Sequence, residues 1–312
     1  MARKFFIIIC GTILTLLVTA CSNPAISGPQ ELTVESDEIT LYVRVTGDPS
    51  SGNVLIAIHG GPGMTLDYML NLETLAGSNL AVVTYDQRGV GRSSSPAEDP
   101  ANYTLAKYTR DLEAVRQAIG VDQVTLFGHS WGGILAQSYA TLYLEHVASI
   151  ILMGSGPPTW EKMIQCQDAL GQRIMALIQQ GNIVEKPEPG SPEAEKGILP
   201  AYFSDPTFWF SPDDLGSAPL VDERTTKVND LTWSANAGFD LTADLAGLNL
   251  HVLNLWGEDD PVRPVASPEI IASLPNAEVE TEVFSHCGHF WHECPDQFFT
   301  TVSAFLDIQR DK

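Results

Sequence analysis

Positive charge is the scarcest resource in this 312-residue sequence: 17 Lys and Arg stand against 39 Asp and Glu, a formal net charge of −22. An acidic balance of this size disfavours phosphate backbones and anionic lipid headgroups as partners, so nucleic acid is not expected. It leaves room for a cationic substrate. Cysteine is also sparse, with five residues and no CxxC pair, which removes the usual sequence support for a zinc site. No internal repeat is present, so nothing indicates a stacked-repeat architecture. Long apolar runs are missing too. The longest, FFIIICGTILTLLV from Phe5 to Val18, is short for a membrane-spanning helix but suits the apolar part of an export signal.

The flanks of that run fit the export reading. Arg3 and Lys4 form a basic start, and Val18-Thr19-Ala20-Cys21 closes the run with small residues before a cysteine. This pattern resembles the bacterial lipoprotein signal, in which residues 1–20 are removed and the cysteine becomes the lipidated first residue. Cys21 is therefore the expected lipid attachment site on a bacterial membrane surface, with residues 21–30 as a tether. Ordinary secretion and an uncleaved N-terminal anchor are the alternatives, and both keep the body outside the cytoplasm. Ser22 gives no signal for inner-membrane retention. Processing leaves about 290 residues, enough for one large α/β domain with an insertion. Cys166, Cys287 and Cys294 then remain in an oxidising setting, where three thiols allow at most one bridge.

Short strand-like runs alternate with amphipathic stretches, which predicts an α/β fold with a mostly parallel sheet flanked by helices. LTVES and ITLYVRVTG read as an opening antiparallel hairpin. VLIAIH, LAVVTYD, QVTLFGH and VASIILMG follow as buried strands, with helical spacing over 104–120 and 132–145. LHVLNLWG and VETEVF are two late strands, and PDQFFTTVSAFLDI, opened by Pro295, is the closing helix. Between Gly156 and about Leu248 the alternation breaks. Residues 162–181 are helical, with Leu170, Ile174, Leu177 and Ile178 on one face, but a Pro/Glu/Gly linker and the aromatic cluster YFSDPTFWF follow. The expected division is a core of 31–155 and 246–312 with an inserted, largely helical cap over 156–245. An irregular extension of the core is the alternative.

GHSWGG, Gly128 to Gly133, carries the most specific chemistry. Its GxSxG stands directly between a strand and a helix, the context of a nucleophile elbow that lifts Ser130 to the sheet edge. A serine nucleophile needs a base, an acid to orient it, and two donors for the oxyanion. HGGPG, His59 to Gly63, follows a strand and supplies a glycine turn; the amides of Gly61 and Trp131 are the expected oxyanion donors. In DQRGVGRS, Asp86 and Arg88 are expected to form a structural ion pair. Asp259 and Asp260, in WGEDDPVRP, compete for the role of the acid. The chain order serine, acid, histidine then requires a histidine after one more strand. SHCGHFWHEC, Ser285 to Cys294, follows that strand with three histidines and two cysteines.

Together these stretches resemble the proline iminopeptidases and related α/β-hydrolase aminopeptidases. HGGPGMTLDYML, DQRGVGRS, GHSWGG, GEDDPVRP and GHFWHECPDQF match that family's motifs in its order, over about residues 35–155 and 245–308. The resemblance implies an α/β-hydrolase core, no metal or other cofactor, and release of an N-terminal residue, often proline, from short peptides. The GxxDxxxP spacing from Gly257 to Pro264 selects Asp260 as the acid, and the resemblance assigns His289 as the base. Metal binding at His286, His289 and His292 would consume the imidazole nitrogen that Ser130 needs, so the two readings exclude each other. Cys287 and Cys294 either close a small loop around His289, stay as buried thiols, or send one bridge to Cys166.

The resemblance also implies cap carboxylates for the substrate's free amine. Asp222, Glu223 and Asp230 are the candidates, but they do not align with the family pattern. Tyr202, Phe203, Phe208, Trp209, Phe210 and Trp233 offer apolar walls, with packing inside the cap as the alternative role for each. A carboxylic-ester hydrolase with the same triad is the competing function, and a noncatalytic peptide-binding lipoprotein is a third. Epoxide and haloalkane hydrolases use an Asp nucleophile, and position 130 is Ser.

Overall fold

A computed structural model describes residues 28–188, 191–210 and 223–310. The expected signal peptide (residues 1–20), Cys21, most of the expected tether and Asp222 lie outside the described residues.

Eight strands form one sheet: β1 (Gln30–Ser36), β2 (Ile39–Thr46), β3 (Val54–Ile58), β4 (Ala81–Tyr85), β5 (Val124–His129), β6 (Val147–Met153), β7 (His251–Gly257) and β8 (Glu278–Phe284). They run side by side in the order β1-β2-β4-β3-β5-β6-β7-β8. β1 and β2 pair antiparallel as a hairpin, from Ser36 opposite Ile39 to Gln30 opposite Val45. β2 meets β4 antiparallel, and every later pairing is parallel. The residue pattern explains this division. In ITLYVRVT burial alternates, as in a strand with one covered face, whereas VLIAI, AVVTY and VTLFGH are buried at every position because both faces are covered.

Two apolar cores lie on opposite sides of the sheet, and the period of two sorts the residues between them. Ile56 and Ile58 join one with Leu112, Ile134 and Leu152, while Leu55 and Ala57 join the other with Met69, Phe127 and Phe298. The first is covered by α1 (Leu105–Ile119) and α2 (Trp131–Leu142). The second is covered by a 3₁₀ helix at Leu66–Leu75 and by the closing helix at Pro295–Arg310. Capping fixes the helix limits. Thr104 accepts from Lys107 N at 3.3 Å at the start of α1, and Gly120, at φ 77°, ends it. The 3₁₀ helix and a helix at Arg263–Ser273 carry no clear period in the sequence and were not expected.

Between β6 and β7 the chain leaves the sheet. Its described parts include α3 (Trp160–Gln180), α4 (Pro192–Lys196), α5 (Glu223–Ala235) and α6 (Thr242–Leu245). α3 buries the stripe expected of it: Leu170 and Leu177 pack with Ile183 and Ala201, with Ile174 and Ile178 alongside. Lys162 on α3 pairs with Glu269 at 2.7 Å, on α7 (Arg263–Ser273).

One expectation is corrected here. Asp86 and Arg88 do not pair with each other. Asp86 accepts from Arg92 Nε at 2.8 Å and from Leu66 N, while Arg88 holds Asp111 with two 2.7 Å contacts. Asp86 and Arg88 stand two positions apart in the turn after β4, and there each takes a different partner. Arg88 and Asp111 are both buried, and losing one partner of such a pair costs about 3–5 kcal/mol.

Candidate active site

The elbow follows from two close approaches. A Cβ at Gly128 would lie 2.5 Å from Gly132 O, and one at Gly132 would lie 2.1 Å from Ile58 O, so both positions exclude a side chain. Ser130 sits between them at φ 54° and ψ −118°, a backbone region that an L-residue occupies only when its surroundings force it. Its amide donates to Met153 O, and its carbonyl accepts from Gly133 and Gly156. The side chain thus stands over the C-terminal ends of β5 and β6 at the first turn of α2.

Asp260 lies in the turn after β7. One of its oxygens accepts from Val262 N at 2.9 Å and the other lies 2.8 Å from His289 Nδ1, with both side chains buried. Asp259, its competitor, faces outward and accepts from Ser204 Oγ. Because Nδ1 donates to Asp260, Nε2 carries the lone pair. Nε2 is buried and has no hydrogen-bond partner among the described residues. Ser130 and His289 line the same two cavities, although the structure does not close a hydrogen bond between them. Such contacts commonly tighten only with substrate bound.

The two cavities meet at Ser130. One, of about 270 Å³, lies between Gly61–Met64 and the Ala194–Leu199 stretch. The other, of about 240 Å³, is walled by Trp131, Met163, Cys166, Leu170 and Trp233. Gly61 borders both. Trp131 N–H is the first amide of α2, which has no acceptor within the helix. Gln87 ties these two donor-bearing segments together: its amide group donates to His59 O at 2.8 Å and accepts from Trp131 Nε1 at 2.9 Å.

The segment carrying His289 is held from several sides. Cys287 and Cys294 are disulfide-bonded, with Cα atoms 5.7 Å apart, which leaves Cys166 as a free buried thiol. Burial pushes that thiol up to about 12. His289 N–H donates to Tyr202 O at 2.6 Å, and the Tyr202 ring lies 4.9 Å from the imidazole. Glu293 accepts three backbone N–H bonds, from Gly288, Ser204 and Asp205, joining this segment to the excursion. Burial raises its carboxyl above the ordinary range in spite of those donors. The other two histidines of the window separate from His289. His286 is exposed, and His292 donates from Nε2 to Tyr68 O at 2.9 Å.

Two of the three acids expected at the amine site stand away from the cavities. Glu223 and Asp230 line a separate depression with Glu98, Arg224 and Lys227, and neither reaches the cavities at Ser130. The cause is helical phase. α5 turns Thr225, Asn229 and Trp233, spaced i, i+4, i+8, toward the cavities, which sends 223, 227 and 230 to another face. Among the described residues no carboxylate lines either cavity, and Lys196 is the only Lys or Arg that does. Trp233 is in place, 5.3 Å from Trp131, whereas Trp209 meets the site only through Lys196, whose Nζ lies 5.6 Å from its ring centre. Phe203 and Phe210 are buried against Phe290 as packing. Sequence reasoning missed Asn229, because nothing local shows that the face it shares with Thr225 and Trp233 is the one that docks on the cavities.

A mostly parallel sheet with a strained serine at its C-terminal edge and a buried Asp–His pair beside it defines an α/β-hydrolase enzyme. Residues 53–179 match the sequence model of the α/β hydrolase fold. The proline iminopeptidase of Thermoplasma volcanium is 30% identical over 287 residues, spanning 88% of this chain and 95% of that protein. That of Lactobacillus delbrueckii subsp. bulgaricus is 30% identical over 266 residues, spanning 80% and 87%. Among solved structures, the Mycobacterium smegmatis proline iminopeptidase superposes with a TM-score of 0.68 at 22% identity, covering 90% of this chain and 98% of that one. A bacterial membrane phospholipase A superposes with 0.67 at 21% identity, covering 91% and 88%, so at this distance the likeness speaks for the fold alone. The chain belongs to the proline iminopeptidase family of α/β hydrolases and is a serine hydrolase.

Proposed function

We propose that this enzyme releases an N-terminal residue, proline foremost, from short peptides by way of an acyl-enzyme, with Ser130, His289 and Asp260 as its triad. The observation that carries this reading is the buried Asp260–His289 pair, 2.8 Å apart, with Nε2 unpartnered beside the cavities that Ser130 lines. His289 Nε2 takes the hydroxyl proton as Ser130 Oγ attacks the carbonyl carbon of the first residue. Asp260 holds the imidazole in the Nδ1–H tautomer and stabilises its cation. The amides of Gly61 and Trp131 receive the oxyanion. His289 then protonates the leaving amine, and water, deprotonated by the same nitrogen, releases the acyl group. The apolar chamber of Met163, Cys166, Leu170 and Trp233 suits a pyrrolidine ring.

A carboxylic-ester hydrolase is the second reading, favoured by the absence of a carboxylate from the described cavity walls. Prolyl arylamide and short acyl esters, assayed side by side with Ser130→Ala as control, separate the two. Ester turnover without arylamide turnover overturns the peptidase reading. Equal cleavage of an N-acylated prolyl arylamide shows that no group binds the free amine.

The setting is also a proposal. Export with lipidation at Cys21 draws support from the signal-like N-terminus and from the Cys287–Cys294 disulfide, which suits an oxidising compartment. Radiolabelled palmitate should mark the wild-type chain and not Cys21→Ala. Equal labelling of both would remove the anchor.

A further inference from the structure

His129, the residue before the nucleophile, is fully buried, and the catalytic steps above do not use it. It stands in the middle of an unbroken hydrogen-bond chain. Gly60 N–H donates to Tyr68 Oη at 2.6 Å, Tyr68 Oη lies 2.8 Å from His129 Nδ1, and His129 Nε2 lies 3.0 Å from His289 O. Both ends of this chain fix its protons. The carbonyl of His289 can only accept, so Nε2 must carry hydrogen. A neutral ring then offers a lone pair at Nδ1, so the tyrosine O–H must donate there, and its oxygen is left to accept from Gly60. Only one arrangement satisfies all four groups.

Two further observations tie this chain to the reaction centre. A Cβ at Gly60 would lie 3.1 Å from His129 Nδ1, 3.1 Å from Ser130 Cβ and 3.2 Å from Tyr68 Oη, so a side chain there would press on all three by a few tenths of an ångström. The His129 ring lies 4.9 Å from that of His289. A charged His129 there would oppose the imidazolium that His289 must become. Burial, and then the neighbouring His289, lower its pKa well below the ordinary value, while burial holds the Tyr68 hydroxyl far above its own. The chain therefore stays in its one arrangement, uncharged.

We propose that Tyr68 and His129 are positioning residues that lock the backbone of His289 and the Gly60–Gly61 oxyanion loop into one register, so that base and oxyanion donor move together. The proposal rests on His289 acting as the base. It assigns to Tyr68 and His129 an effect on the chemical step rather than on substrate binding. Misplacing a base or an oxyanion donor by a fraction of an ångström lowers kcat, whereas the walls that bind substrate are untouched.

The test uses the whole enzyme, with Ser130 titrated by a fluorophosphonate so that rates are counted per competent site. Tyr68→Phe, which removes one oxygen and keeps the ring, should lower kcat about tenfold with KM within about twofold of wild type. His129→Gln retains a donor for His289 O and should keep about tenfold more kcat than His129→Phe, which retains none. Independently of turnover, ¹⁵N NMR of the wild-type enzyme should find His129 neutral with its proton on Nε2. Wild-type kcat per titrated site in Tyr68→Phe, no advantage of Gln over Phe, or a proton on Nδ1 overturns the proposal. The underlying reading fails separately: Ser130→Ala would then retain turnover or still label with the fluorophosphonate.

Discussion

The elbow and helix α5 border the same cavities, yet they are built under opposite constraints. Around Ser130, a Cβ at Gly128 or Gly132 would strike backbone at 2.5 Å or less, and the residues alongside are buried and hydrogen-bonded. On α5 the residues facing the cavities are Thr225, Thr226, Asn229 and Trp233, while Glu223, Lys227 and Asp230 face water. The elbow has almost no sequence freedom because backbone geometry sets it. The helix has a great deal, because any side chain of fitting size and polarity can stand on its inner face. On the proposed function, chemistry belongs to the first region and substrate choice to the second.

That division makes ordered predictions. Ser130→Ala should lower kcat by about 10⁴-fold or more without loss of folded protein, checked by steady-state kinetics and circular dichroism. Asp260→Asn should cost about 10³- to 10⁴-fold, because an amide no longer holds the Nδ1–H tautomer. If Asp259→Asn instead gives the larger loss, the choice between the two acids is reversed. Trp233→Ala should act mainly on KM, by about tenfold, through lost wall area in the apolar chamber. A pure kcat effect there would blur the proposed boundary between chemistry and substrate choice. Glu223→Gln and Asp230→Asn should leave kcat/KM within about twofold, since both acids face the separate depression. A tenfold loss in either would return the amine site to α5.

A last effect bears on stability and lies wholly within the core. Burial raises the pKa of Glu113, but hydrogen bonds from Arg116, Tyr139 and Gln117 outweigh it and hold the carboxyl at about 2. A depressed carboxyl stabilises the fold fully above its ordinary value of 4.5, and that contribution is lost as pH falls toward 2. Glu113→Gln should flatten the melting temperature against pH in that window. An unchanged slope would mean that other carboxylates govern acid unfolding.

The readable and unreadable parts of the site follow the same division. Ser130, Asp260 and His289 each follow a strand, and strands announce themselves as apolar runs, so their places at the sheet edge could be inferred from order alone. Asp86 and Arg88 were misread because nearness in sequence does not show which distant partners, Arg92 and Leu66 for one and Asp111 for the other, the turn after β4 brings to each. Glu223 and Asp230 were misread because the phase of α5 against the cavities depends on how the helix docks. Tyr68 was invisible as a partner of His129, since 61 positions separate them and only the packing of the 3₁₀ helix brings the hydroxyl to the ring.

By itself the sequence determined the succession of strands and the elbow, because glycine requirements and apolar periodicity are local properties of the chain, while the choice of Asp260 and His289 as the proposed acid and base drew on the family resemblance. The pairing of Cys287 with Cys294, the inner face of α5 and the proton arrangement from Gly60 to His289 were decided only by tertiary structure. Each depends on distances between groups that folding, and not chain order, brings together.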